Sequence, residues 1–114
     1  MDAAELTLLY DYYGDLLTDR QKECFELRYN EDLSLSEIAE QEGISRQGVH
    51  DNLSRAEALL RNMEAKTGCV SRDRACRKAA NTILEAATAL RQVEDPVVSA
   101  LVQRIMDAVQ GLEE

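Results

Sequence analysis

SLSEIAEQEGISRQGVHDNLSRA, residues 34–56, reads as two short helices parted at a glycine. Ser34 and Glu37 have capping-box spacing: the hydroxyl takes one orphan amide and the carboxylate reaches back. Ile38 and Ala39 face inward. Gly43 stands where a left-handed turn residue is expected, and Ile44 follows as an apolar plug. Ser45 then caps a longer helix, about 46–66, in which Val49, Leu53, Ala56, Leu60 and Met63 recur at steps of three and four. A small residue (Ala39) at the helix crossing, a glycine in the turn and apolar pins on both sides are the requirements of a helix-turn-helix. Such a motif projects the early residues of its second helix into a groove of nucleic acid. Those residues are Ser45, Arg46, Gln47, His50, Asp51 and Asn52, with Arg55 one turn further. Arginine can fork onto guanine and glutamine onto adenine, while a capped helix start can hold a phosphate.

On the N-terminal side, Leu6, Leu9, Tyr10 and Tyr13 make one stripe on a helix over about 3–13, which Gly14 ends. Leu16 and Leu17 are expected to plug the core. Thr18 and Gln21 form a second capping box, opening a helix that runs to Tyr29. On the C-terminal side, Gly68 ends the long helix. Ser71 is a candidate cap for a fifth helix, about 72–92, and Asp95-Pro96 starts a sixth. The last two helices are amphipathic and joined by a short link, so they predict a helical hairpin. The fold class is therefore all-α, with a helix-turn-helix core over 1–67 and a C-terminal hairpin over 69–114. The hairpin is too apolar on one side to stand free, and is expected to pack on the core or on a second subunit. A homodimer fits that expectation.

Composition limits the function. The net charge is −9, with nine acids against three bases in residues 1–33, six against four in 34–66, and seven against six in 67–114. Phosphate contacts supply most non-specific nucleic-acid affinity, so this chain needs a local basic face to bind any. Arg72, Arg74, Arg77 and Lys78 form the densest basic run and make a second candidate patch, readable also as a solvated helix face. Arg55 reads either as a phosphate contact or as the ion-pair partner of Asp51, four residues back. The four tyrosines fit core and rim positions better than base stacking. Cys24 and Cys76 fall on apolar faces and are expected to be core thiols, with Cys69 the exposed one. No metal-ligand spacing, phosphate loop or paired-carboxylate signature is present, so neither a cofactor nor an enzyme is expected. Asp2 and Glu5 replace the basic start of a signal peptide, and no apolar run spans a bilayer. The reading is a cytoplasmic protein with no membrane partner.

LLTDRQKECFELRYNEDLSLSEIAEQEGISRQGVHDNLSRAEALLR, residues 16–61, resembles the fourth region of bacterial sigma factors, a promoter-reading helix-turn-helix. The whole chain, through LYDYYGDLLTDRQ, the run around SRQGVHDN and the helical tail, resembles the YlxM family of small bacterial proteins. That resemblance implies a DNA-binding or regulatory role tied to the signal recognition particle, with DNA or the particle's RNA as ligand. The alternative is a protein-interaction adaptor for one of the particle's GTPases. The chain departs from the family pattern at Gly48 (usually Ala) and His50 (usually Tyr). It also carries Glu42 where the sigma module has an apolar contact.

Overall fold

The computed structural model describes residues 2–112, and among them every regular element is helical. The order is α1 (Ala3–Tyr13), a 3-10 turn (Gly14–Leu16), α2 (Asp19–Tyr29), α3 (Leu35–Glu42), α4 (Arg46–Thr67), α5 (Cys69–Leu90) and α6 (Pro96–Leu112). The chain divides into two compact units, Met1–Val70 and Ser71–Glu114.

In the first unit the helix starts follow the local chemistry of the caps. Asp2, Thr18, Ser34 and Ser45 each accept an amide of the first turn, and Thr18 and Ser34 complete reciprocal boxes with Gln21 and Glu37. Each such cap is worth about 1 kcal/mol. Helix α4 packs against α1, α2 and α3, and its stripe of Val49, Leu53, Ala56 and Leu60 is buried. Phe25, Ile38 and Cys24 close on it. The Phe25 ring lies 4.5 Å from both Tyr10 and Tyr29. The aromatic edges are tied by hydroxyls: Tyr10 donates to Glu26 (2.7 Å), Tyr13 to Glu64 (2.8 Å), and Tyr29 to Glu57. Two of these bonds run from α1 or α2 to α4, so they fix how α4 rolls beneath its neighbours. Tyr10, Tyr13 and Tyr29 are framework groups, while Tyr12 lies exposed at the rim.

Gly14 ends α1 as expected, in a right-handed conformation; a Cβ there would stand 3.1 Å from the Tyr10 ring, and it is this close approach that calls for glycine. Two local expectations change. Only Leu17 of the Leu16–Leu17 pair enters the core, since the 3-10 turn points Leu16 outward at 55% exposure. Ser71 is not a cap, because α5 begins directly after left-handed Gly68. The first amides of α5 are served from behind: the Cys69 amide donates to Thr67 Oγ1 (3.3 Å) and the Val70 amide to Glu64 Oε1 (3.0 Å). The thiols also exchange places. Cys24 is buried, but Cys69 is half-buried and Cys76 exposed, because α5 buries Ala80 and Ala87 on a neighbouring stripe.

In the second unit, Pro96 opens α6 behind Asp95, whose Oδ1 accepts the Val97 amide at 2.8 Å. Arg91, just past α5, donates to Gln103 Oε1 and reaches the Met106 sulfur. Leu112, at the far end of α6, shares a depression with Asp73, Cys76, Arg77 and Asn81 near the start of α5. The two helices therefore run antiparallel as a hairpin.

Candidate nucleic-acid interface

The bend that presents the interface is built from backbone bonds and one positive torsion. Gly43 has φ +68°, a conformation that glycine adopts without penalty. Its amide and that of Ile44 both return to the Ala39 carbonyl, the latter at 3.1 Å. Ile44 packs half-buried on the core. Ser45 then caps α4 by accepting the Gly48 amide on Oγ (2.9 Å).

Arg20 of α2 braces the same corner. Its Nη1 donates to the Glu42 carbonyl (2.9 Å) and lies 3.6 Å from the Glu42 carboxylate. This brace accounts for a glutamate where the sigma module has an apolar contact. The Glu42 carboxyl is pushed above the usual carboxylate range, first by burial and then by its hydrogen bond with Glu23, while Arg20 opposes the rise. Sequence reading missed Arg20 as a positioning residue; a cation on α2 with a glutamate at the end of α3 was the available signal.

With Val49, Leu53 and Ala56 buried, the opposite side of α4 faces solvent. Ser45, Arg46, Gln47, His50, Asp51, Ser54 and Arg55 are exposed there, and Asn52 is half-buried at its edge. Ser54 was not singled out from the sequence, though it lies seven residues after Gln47 and so on the same face. Two of the proposed readers are already engaged. Gln47 Nε2 donates to Asp51 Oδ1 (3.0 Å), and Asn52 Nδ2 donates to the Gly48 carbonyl (2.8 Å). Asn52 thus keeps only its amide oxygen for a ligand. His50 Nδ1 lies 3.9 Å from Asp51, so a protonated His50 would pair with it.

The expected pairing of Arg55 with Asp51 is absent: Asp51 takes Gln47 and neighbours His50 instead. The charge census of the first unit is uneven as a result. Of its seven cations, Arg20 engages Glu42, Lys22 Asp15, Arg28 the Leu33 carbonyl, and Arg61 Glu57. Among the described residues, Arg46, Arg55 and Lys66 have no such partner; the two arginines lie on the open face of α4, and Lys66 lies in its last turn. Helices α1, α2 and α3 each place an acid in the first turn, whereas α4 has none. The partial positive charge at the start of α4 therefore meets the Ser45 hydroxyl but no acid of its own first turn.

The acids gather elsewhere in this unit. Glu23, Glu26, Glu31 and Glu42 line a groove of about 350 Å³ between α2 and α3. In the second unit Arg72, Arg74, Arg77 and Lys78 are all exposed on α5, with Arg74, Arg77 and Lys78 sharing a face by their spacing. Among the described residues no group of His, Cys, Asp and Glu is arranged to hold a metal, and no helix is long and apolar enough to cross a membrane.

A sequence profile described as "Putative helix-turn-helix protein, YlxM / p13 like" (UPF0122) matches residues 2–100. The UPF0122 protein of Thermoanaerobacter sp. strain X514 is 43% identical over 108 residues, covering 94% of this chain and 92% of that protein. That of Desulforamulus reducens is 59% identical over 68 residues (60% and 58%), and that of Lacticaseibacillus casei 37% over 99 residues (87% of each).

Proposed function

Because the chain belongs to the UPF0122 family of YlxM / p13-like helix-turn-helix proteins, we propose that it is a non-enzymatic regulator that binds nucleic acid through the open face of α4. The observation that carries this reading is that Arg46 and Arg55, both on the open face of α4, are free in a unit where four of seven cations are tied to its own acids or backbone. These two arginines contact phosphates on either side of Gln47 and His50, and the bare start of α4 receives a third. Gln47 reads a base only after releasing Asp51, so specific binding exchanges one hydrogen bond for another. The ligand is DNA or, following the link that the YlxM resemblance implies, the RNA of the signal recognition particle. Arg74, Arg77 and Lys78 form a separate candidate phosphate-binding patch within the second unit.

The competing reading is an adaptor that meets a signal recognition particle GTPase through protein contacts alone. The acidic groove beside α3 favours it, since that surface repels phosphate. A salt titration separates the two. Each phosphate neutralised on duplex DNA adds about 0.9 to the slope of log K against log salt. Arg46→Ala with Arg55→Ala should therefore flatten the slope by about 1.8 and leave helicity intact. A chain that binds neither DNA nor the particle's RNA at low salt, yet binds the GTPase, would leave only the adaptor.

A further inference from the structure

The hairpin carries two apolar stripes where one is enough to hold it together. The inner positions are Ala80, Leu84 and Ala87 of α5, and Val98, Val102, Met106 and Val109 of α6; all are buried or half-buried. One residue earlier on each helix runs a second stripe at steps of three and four. On α5 it comprises positions 79, 83, 86 and 90; on α6, positions 97, 101, 105, 108 and 112. All nine are apolar, and all nine are exposed.

A step of one residue turns each stripe by about 100° from the inner seam. In antiparallel neighbours that turn carries both outer stripes to the same side of the pair. The hairpin therefore presents one continuous apolar face. Its large members are Ile83 (43% exposed), Leu90 (44%), Val97 (67%), Leu101 (48%), Ile105 (37%) and Leu112 (77%). These exposures amount to on the order of 500 Å² of apolar surface, at the upper end of what a soluble monomer leaves in one patch.

We infer that this face is a homodimer interface, on which the same face of a second copy docks to complete a four-helix bundle. Two helices with an open apolar side lack the other half of a four-helix core, and an identical hairpin supplies it by a two-fold contact. The area agrees: two such faces remove about 1,000 Å² from water, the lower bound for a specific interface. Ala79, Ala86 and Ala108 are small enough to let helices approach closely. A two-fold axis across the middle of the face pairs each α5 and α6 stripe with its counterpart on the other copy. The inference does not depend on nucleic-acid binding.

Sedimentation equilibrium of the full chain tests it. The expected mass is twice the 12.8 kDa of one chain, declining towards one chain on dilution. Leu101→Glu should give a monomer, and Ser99→Glu, the same charge placed on the other side of α6, should leave the dimer intact. Leu101→Ala and Val97→Ala keep helix propensity and leave the inner seam of Val98, Val102, Met106 and Val109 in place, so the hairpin stays folded by circular dichroism. Each should raise the dimer dissociation constant on the order of tenfold, since both copies lose contact area. A wild-type chain that stays monomeric at high micromolar concentration overturns the inference. So does a dimer as tight in the Leu101 and Val97 variants as in Ser99→Glu, because its interface would lie elsewhere.

Discussion

Gly48→Ala probes the recognition helix at its weakest position. Glycine within a helix costs about 1 kcal/mol relative to alanine, and Gly48 lies in the first turn of α4, the part offered to a ligand. The new methyl would stand 3.2 Å from Ser45 Oγ and 3.7 Å from Ile44 Cδ1. The first contact is tight by a few tenths of an ångström; the second is ordinary packing. The hydroxyl can yield slightly while still accepting the residue-48 amide, and the carbonyl that accepts from Asn52 does not move. Crowding therefore removes only part of the propensity gain, leaving a net stabilisation of roughly 0.5 kcal/mol. Every aromatic residue lies at or before Tyr29, so tyrosine fluorescence in a urea titration reports on the first unit alone. The midpoint should rise with an unchanged slope. Nucleic-acid affinity should hold or improve, since the open face starts from a stiffer helix. A loss near 1 kcal/mol would mean that the methyl evicts the Ser45 cap, and the account of this corner would then be wrong.

Arg20→Ala should destabilise the first unit by about 1–2 kcal/mol in the same titration, because it strips a carbonyl bond and leaves the half-buried Glu42 facing Glu23; a change within a few tenths would show that the brace carries no energy. The pH profile should be limited at both ends. Burial, and then the bonds to Glu26 and Glu57, push Tyr10 and Tyr29 up from 10.0 to about 12. Stability from these groups is thus complete below pH 10.0 and lost as pH rises towards about 12. At the acid end, the hydrogen bonds from Ser34 hold the Glu37 carboxyl below its usual range. That contribution is complete above the ordinary carboxylate range and disappears as pH falls through the lowered value. Tyrosinate absorbance that develops fully near pH 10.0 while far-ultraviolet circular dichroism still reports folded helices would contradict the upper limit.

Much of the framework is local and could be read from the chain. The capping boxes at Thr18 and Ser34, the cap at Ser45, the left-handed Gly43 and the buried stripe of α4 each rest on residues within one or two turns of one another. Their hydrogen bonds and periodicity therefore need no knowledge of what packs against them. The candidate interface was legible to the same extent: the stripe fixes which side of α4 is buried, and so which side is left open.

What the open side can do was settled by competition for partners, within α4 as well as between elements. Asp51 takes Gln47 rather than Arg55, Arg20 reaches across to Glu42, and Glu64 caps the start of α5 in place of Ser71. Each outcome is a competition among several partners of similar chemistry, and distance in the folded chain decides it. The thiols obey the same logic. Cys69 and Cys76 both fit an apolar pattern, but a helix in a hairpin can turn only one stripe to its neighbour, and the packed stripe runs through Ala80 and Ala87. Sequence alone determined where helices begin, where they end and which residues repeat along them. Tertiary structure decided how each helix rolls, and with that which charges stay free and which apolar face is left uncovered, because roll is fixed by contacts between segments distant in the chain.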